Sequence, residues 1–477
     1  MGDAKPMSAL VAAAWRPVDG ASLGAWRVLF GSLMAVAQVR FVAEGWVESL
    51  LLTPAFRFAP WPLTAVPIPP AGWLYALHGL LALCGVLLAI GVQARPAALC
   101  LGLGVAYIDA LDVTNYLNHH WLVVLLCLLA AATPCDAAFS VDGWCARRSG
   151  RAESTAVPAY VLWLLRGQVA TVYLFASVAK MGPDWLLHGW PLNSWLLARS
   201  DWPWLGPLFA RPETAIALSW AAMLYDLTIP ALLLWRPSRR SAIVAVLCFH
   251  AMTALLFRIG IFPYLMTLNA TLLLDPNWPR RLLRGLTTVA PNAKSSAEKA
   301  TAALPTAPLA RAALGPRLAV AWMAFQLLLP MRTALYPGQV LWAEEGMRYS
   351  WRVMVREKHG AVSFRVRLPS GAEVIEEPRR YLAGYQEREM ASQPDLILQL
   401  AHHIAERYQA RGYGEVAVFA DALVSLNGRP PQPLVDPKVD LARQTDGLWP
   451  KPWIPKAPLG APPRLGRPLL HLAGGGP

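Results

Sequence analysis

Apolar residues in the first two thirds of this chain fall in long unbroken runs, without the alternation of a half-buried strand or the single stripe of a surface helix. A membrane-spanning helix needs about 20 largely apolar residues. Nine such runs are centred near residues 24–43, 72–93, 96–111, 120–133, 158–179, 213–235, 241–257, 261–275 and 317–332, the third, fourth and eighth being short. With the N-terminus inside, the inner segments hold 16 Lys and Arg and the outer loops 6, as the positive-inside rule requires. An odd number of spans then puts everything after residue 333 outside. Beyond that point Ser350–Val355 and Val362–Leu368 alternate like paired strands about a Lys358–Gly360 turn. Pro394–Gln409 has helical spacing, and Glu415–Leu426 reads as a strand before an Asn427-Gly428 turn. The pattern predicts an α-helical polytopic membrane bundle of nine transmembrane helices (residues 1–333), then a β-rich extracytoplasmic domain (residues 334–477). An Ala/Pro/Thr/Ser-rich stretch at 286–316 reads as a cytoplasmic linker, and the tail from Pro450 is proline-rich.

Composition sharpens this picture. The 477 residues are 55% hydrophobic and 15% charged, against about 25% charged in soluble domains. The 21 tryptophans suit a membrane interface. The net charge of +13 is spread over the inner loops, which argues against a nucleic-acid face; residues 334–477 are nearly balanced, 18 Lys+Arg against 15 Asp+Glu. Six cysteines without CxxC or His/Cys spacing indicate neither a metal site nor a disulfide framework. Residues 1–23 lack the compact apolar core of a cleaved signal peptide, so the first span is expected to stay.

Charged groups inside spans suggest pairing or function. Arg166 and Asp226 lie at similar counts from the outer ends of their runs, roughly 20 Å deep at about 1.5 Å per residue, and are expected to form a structural intramembrane pair. His78, His250 and Asn269 are also intramembrane; His250 is a candidate site residue. At the outer rim, Asp112-Val-Thr-Asn115-Tyr-Leu-Asn118-His119-His120 joins two spans, and Tyr173 to Lys180 followed by Asp184-Trp185 ends another. This topology sets Asn118, His119 and Lys180 on one face. A lone lysine there would be a snorkelling side chain. Beside a histidine and an amide it becomes a candidate base, because partial burial favours the neutral amine.

These motifs, in this order, resemble the vitamin K-dependent gamma-glutamyl carboxylase family. The landmarks are Asn118-His119, Leu165-Arg166-Gly167-Gln168, Val178-Ala179-Lys180 with Asp184-Trp185, and Tyr225-Asp226-Leu227. Phe249-His250-Ala-Met252, Leu256 to Phe262 and Pro276-Asn277-Trp278-Pro279-Arg280 follow. Then come Tyr349-Ser350-Trp351, Val424 to Asn427 and Asp436 to Asp440. The resemblance implies a reduced vitamin K (naphthoquinol) cofactor, with O2 and CO2 as co-substrates and no metal. In that family a lysine deprotonates the quinol, which reacts with O2 to give an alkoxide strong enough to remove a glutamate γ-proton. Carbon dioxide then adds, and the quinol leaves as its epoxide. By resemblance Lys180 is the base, Asn118 contacts the quinol and His119 serves the carboxylation step. Three positions depart from the pattern: Ala179 stands where the family has a second lysine, and Arg356 and Lys358 replace the His and Arg that recognise the glutamate, two cations still expected to contact its carboxylate. The implied partners are the lipid bilayer, a membrane quinol and a glutamate-containing polypeptide. The composition suggests a bacterial inner membrane, with the N-terminus cytoplasmic and the C-terminal domain periplasmic. Two other readings stay open: a quinol oxygenase that carboxylates no peptide, and a non-enzymatic quinone- or lipid-binding module.

Overall fold

Helices occupy all nine apolar runs in the computed structural model, which describes residues 9–151, 154–257, 259–286, 309–458 and 460–463. They are α1 (Ala21–Ala43), α2 (Ala71–Ile90), α3 (Ala94–Leu111), α4 (Asn118–Ala132) and α5 (Ala159–Ala179). After them come α6 (Pro212–Leu234), α7 (Arg239–Leu256), α8 (Phe262–Ala270) and α9 (Leu309–Met331). Seven are long and apolar enough to cross a membrane, which makes this a multi-pass membrane protein. The other two are shorter. α4 spans 15 residues and stops at Thr133, which stands before Pro134 and is extended, as a residue preceding proline prefers. α8 spans 9 residues and continues as the 3-10 turn Thr271–Leu273.

Lipid gives apolar helices no reason to segregate, so close backbone approach at small residues has to hold them together. Between α1 and α2 the interface is glycine: a Cβ on Gly31 would lie 2.5 Å from the Ala89 nitrogen, and one on Gly85 2.7 Å from that of Ala35. The bundle has two distinct ends. The loops after α1, α3 and α5 meet the C-terminal region through Ala59–Gln399, Asp112–Gln386 and Asp184–Arg429 hydrogen bonds. At the opposite end Arg280 pairs with Asp19 at 2.9 Å and Arg239 with Asp275 at 2.8 Å.

The C-terminal region holds one antiparallel sheet in the order β2-β1-β3-β4: β1 (Lys358–Arg367), β2 (Glu373–Glu376), β3 (Ala417–Leu426) and β4 (Gln432–Pro433). Helix α10 (Pro394–Ala410) covers it, and Phe364, Val366, Leu396, Ile404, Val418 and Val424 form the core between them. The expected Ser350–Val355 strand is absent. Its apolar residues serve the bundle instead: Trp351, 1% exposed, belongs to the membrane core. The expected turn at Lys358–Gly360 is the first stretch of β1, paired with Leu426, Ser425 and Val424. Of the expected linker, 287–308 lies outside the described residues, and Leu309 to Pro316 already belong to α9. The tail is described to residue 463 and packs back, with the Trp342 indole donating to the Pro455 carbonyl at 3.0 Å; 464–477 lies outside the described residues.

Candidate active site

Lys180 caps the C-terminus of α5, and its side chain turns back into the bundle. The ammonium donates to the Ala176 carbonyl at 3.2 Å and to Asp226 of α6 at 2.8 Å. The two side chains are only 8% and 7% exposed. The Trp185 ring lies 5.5 Å from the nitrogen, and its indole donates to the Ser219 carbonyl at 2.7 Å. The Asp184-Trp185 motif is thereby explained. Trp185 walls the lysine, while Asp184 receives two 2.7 Å bonds from Arg429 and a 2.8 Å bond from the Asn427 amide. Burial alone would raise the Asp184 carboxyl, but Arg429 and Asn427 outweigh it and hold the carboxyl below its usual range.

The expected Arg166–Asp226 pair does not form. Arg166 donates instead to the carbonyls of Leu272 and Leu274 at 2.8 and 2.7 Å, with its guanidinium 4.9 Å from the Trp163 ring. The reason is helix register. Ser177 of α5 donates to the Met223 carbonyl of α6 at 3.1 Å, so the antiparallel pair brings Lys180, not Arg166, to the level of Asp226's turn. Counting from the helix ends failed because α6 begins well above the end of α5. The carbonyls of Leu272 and Leu274 take the arginine instead.

Lys180 and Asp226 line a cavity of ≈ 350 Å³ between α5, α6, α7 and α8, within the size range of small-molecule sites. Its walls are mainly Trp, Phe, Leu, Met and Ala side chains. His250 lines it too, its Nε2 lying 3.3 Å from the Tyr173 hydroxyl and 3.4 Å from that of Tyr225. Its Nδ1 is buried with no partner among the described residues. In the sequence neither tyrosine carries a signal of its own, although Tyr173 opens the stretch that ends at Lys180 and Tyr225 precedes Asp226. An apolar chamber with a lysine, a carboxyl, a histidine and two phenols can take an aromatic ligand with polar substituents: aromatic walls for a ring, polar atoms for hydroxyls.

Asn118 and His119 line a different cavity, of ≈ 540 Å³. The Asn118 side-chain Oδ1 accepts from the Tyr116 hydroxyl at 3.2 Å, and that hydroxyl accepts from the Tyr349 backbone N–H at 3.0 Å. Tyr349 also meets the Tyr116 and Trp121 rings edge-on. The Tyr-Ser-Trp motif thus braces the turn that presents Asn118. His119 is buried against His120, whose Nδ1 lies 2.8 Å from Asp109. The structure therefore splits the expected trio: Lys180 faces one cavity, Asn118 and His119 the other.

Arg356 and Lys358 hold a carboxylate, but one belonging to the chain. Arg356 donates to one oxygen of Glu344 and Lys358 to the other, both at 2.9 Å. Lys358 also donates to the Trp342 carbonyl at 2.8 Å. Burial pushes the Lys358 ammonium down to about 8, with Glu344 opposing. Among the described residues, no group of three or more His, Cys, Asp or Glu is placed to bind a metal.

Compared with known families, residues 15–278 match the HTTM domain and residues 312–459 match the vitamin K-dependent gamma-carboxylase lumenal domain. No solved structure matches the chain. Two consecutive matches covering both the bundle and the sheet region lead to one assignment: the chain belongs to the vitamin K-dependent gamma-carboxylase family.

Proposed function

We propose that this protein is a quinol-dependent gamma-glutamyl carboxylase, with Lys180 as the base that starts the reaction. The observation that carries this reading is a lysine paired with a buried carboxylate at the wall of an aromatic chamber. In an apolar surround an ion pair bears a heavy desolvation cost, and transfer of the ammonium proton from Lys180 to Asp226 would free the nitrogen's lone pair. That nitrogen accepts the proton of a quinol hydroxyl, while Tyr173, Tyr225 and His250 offer hydrogen bonds to its oxygens. A bound naphthoquinol, with O2, supplies the strong base that no side chain provides. His119 serves the carbon acid and CO2 from the adjoining cavity, and Asn118, expected as a quinol contact, lines that cavity and not the Lys180 chamber. The orientation that suits the reading puts the sheet region outside, where a glutamate-containing polypeptide arrives, while the quinol arrives through the bilayer.

A second reading, quinol oxygenation without peptide carboxylation, is favoured by one observation: the Arg356 and Lys358 clamp already holds Glu344. One experiment separates them. Protein in lipid nanodiscs receives reduced vitamin K, oxygen and labelled CO2 with a glutamate-rich peptide, and epoxide and fixed label are followed together. Both products, lost in Lys180→Ala, are the expected result. Epoxide alone selects the second reading; neither product, with quinol bound, overturns both.

A further inference from the structure

The two cavities are neighbours with a common wall. Ile259 and Phe262 on the bundle side and Val353 and Met354 from the C-terminal region line both. Lys180 and Asp226 stand on one side of this wall, Asn118 and His119 on the other.

The Val353–Met354 segment has unusual backbone support. Tyr349, Trp351 and Met354 have φ of 64°, 57° and 52°, the left-handed region that non-glycine residues rarely adopt. Such positions are costly and persist only where the surroundings enforce them. The first two are enforced. The Tyr349 N–H is fixed to Tyr116, and Trp351 is sealed in the bundle core. Downstream, the Glu357 N–H donates to Asn427 at 2.9 Å and β1 begins at Lys358. Between these anchors, the Val353 N–H reaches only back to the Trp351 carbonyl, at 2.9 Å. No backbone hydrogen bond holds Met354 among the described residues. A strained residue, unpinned between two pinned ends, is where a chain bends most cheaply.

We propose that Val353–Met354 is a displaceable partition between the two chambers, with Met354 as its moving side chain. The inference rests on the quinol reading of the Lys180 chamber. Closed, the partition keeps the group activated beside Lys180 away from His119; displaced, it joins the chambers so that a bound carbon acid meets that group. Because the segment lies between Tyr349, which contacts the Asn118 turn, and β1 of the sheet region, occupancy on either side bears on its position. Methionine suits the role, having no branch at Cβ and a flexible, polarisable thioether.

The test begins without any ligand. Methyl-labelled methionine in the full-length protein in nanodiscs is examined by relaxation dispersion, which reports microsecond–millisecond exchange, with Met354 assigned through Met354→Leu. Exchange at Met354, with Met266 and Met34 flat, is expected; Met266 lines only the Lys180 chamber and Met34 only the other. A flat Met354 profile means a fixed wall and overturns the proposal. The second arm measures label fixed per epoxide formed. Met354→Gly, which accepts the positive φ and removes the side chain, is expected to lower that ratio several-fold, and Met354→Leu to keep it. An unchanged ratio in the glycine variant also overturns the partition. If wild type forms no epoxide, the quinol reading fails on its own while the exchange measurement still decides whether the partition moves.

Discussion

Two buried lysines in this molecule have nearly the same surroundings and opposite settings. Lys180 donates to one backbone carbonyl and one carboxylate and sits 5.5 Å from a tryptophan ring. Lys358 does the same, with the Trp342 carbonyl, Glu344 and the Trp342 ring at 5.6 Å. They differ in what lies beyond. Glu344 has a second cation in Arg356, and Lys358 has a side-chain exposure of 0%. Asp226 has only Lys180 among the described residues, and this lysine lines a cavity together with its carboxylate, whereas of the other pair Glu344 lines a cavity and Lys358 does not. Partners alone do not distinguish a base from a strut; access to a space where a substrate fits does.

The comparison breaks most visibly if the first pair is replaced by apolar residues. Buried ion pairs are often exchanged for hydrophobic side chains with little loss of stability, whereas a positioned base contributes about 10²–10⁴-fold in rate. Lys180→Met with Asp226→Leu should therefore keep the thermal midpoint of wild type and lose quinol turnover by that factor. Unfolding of this double variant would make the pair a strut like the other.

Lys358→Met is the mirror test. It leaves Glu344 paired with Arg356 alone and removes two hydrogen bonds from a charged donor, to Glu344 and to the Trp342 carbonyl, each contributing about 1.5–3 kcal/mol. Denaturant or thermal unfolding should show that loss, while turnover per folded molecule stays at the wild-type value. A catalytic defect in protein that remains folded would bring Lys358 into the site.

The Asp184–Arg429 contact gives the smallest effect and a pH signature. Hydrogen bonds to charged groups contribute about 1.5–3 kcal/mol, so Asp184→Asn should loosen the sheet region from the bundle by that amount. The carboxyl is held below its usual range. Its contribution is therefore complete above the ordinary aspartate value, about pH 4, and is lost as pH falls through the lower folded value. Tryptophan fluorescence across that acid window should show a transition in wild type that is flattened in the variant.

The helices were legible because lipid demands long apolar runs and permits no substitute, so nine runs gave nine helices. β3 and α10 were legible for a similar reason: each shows one clean period. The alternation at Ser350–Val355 misled because Trp351 is buried in the membrane core and not in a sheet, and periodicity cannot say what covers a face. Glu344 gave no signal, since a glutamate after a short apolar stretch looks like any surface residue until Arg356 and Lys358 are seen around it.

The chain alone determined the spans, the change of character near residue 334, and the residue types that carry chemistry, because these follow from hydropathy and from side-chain identity. Tertiary structure decided that Asp226 belongs to Lys180 and Arg166 to two loop carbonyls, since the pairing depends on how far α6 extends beyond α5. It also decided that Lys180 and His119 face separate chambers with Met354 between them. Depth, register and the course of a wall are relations between segments distant in sequence, and they exist only once the helices have packed.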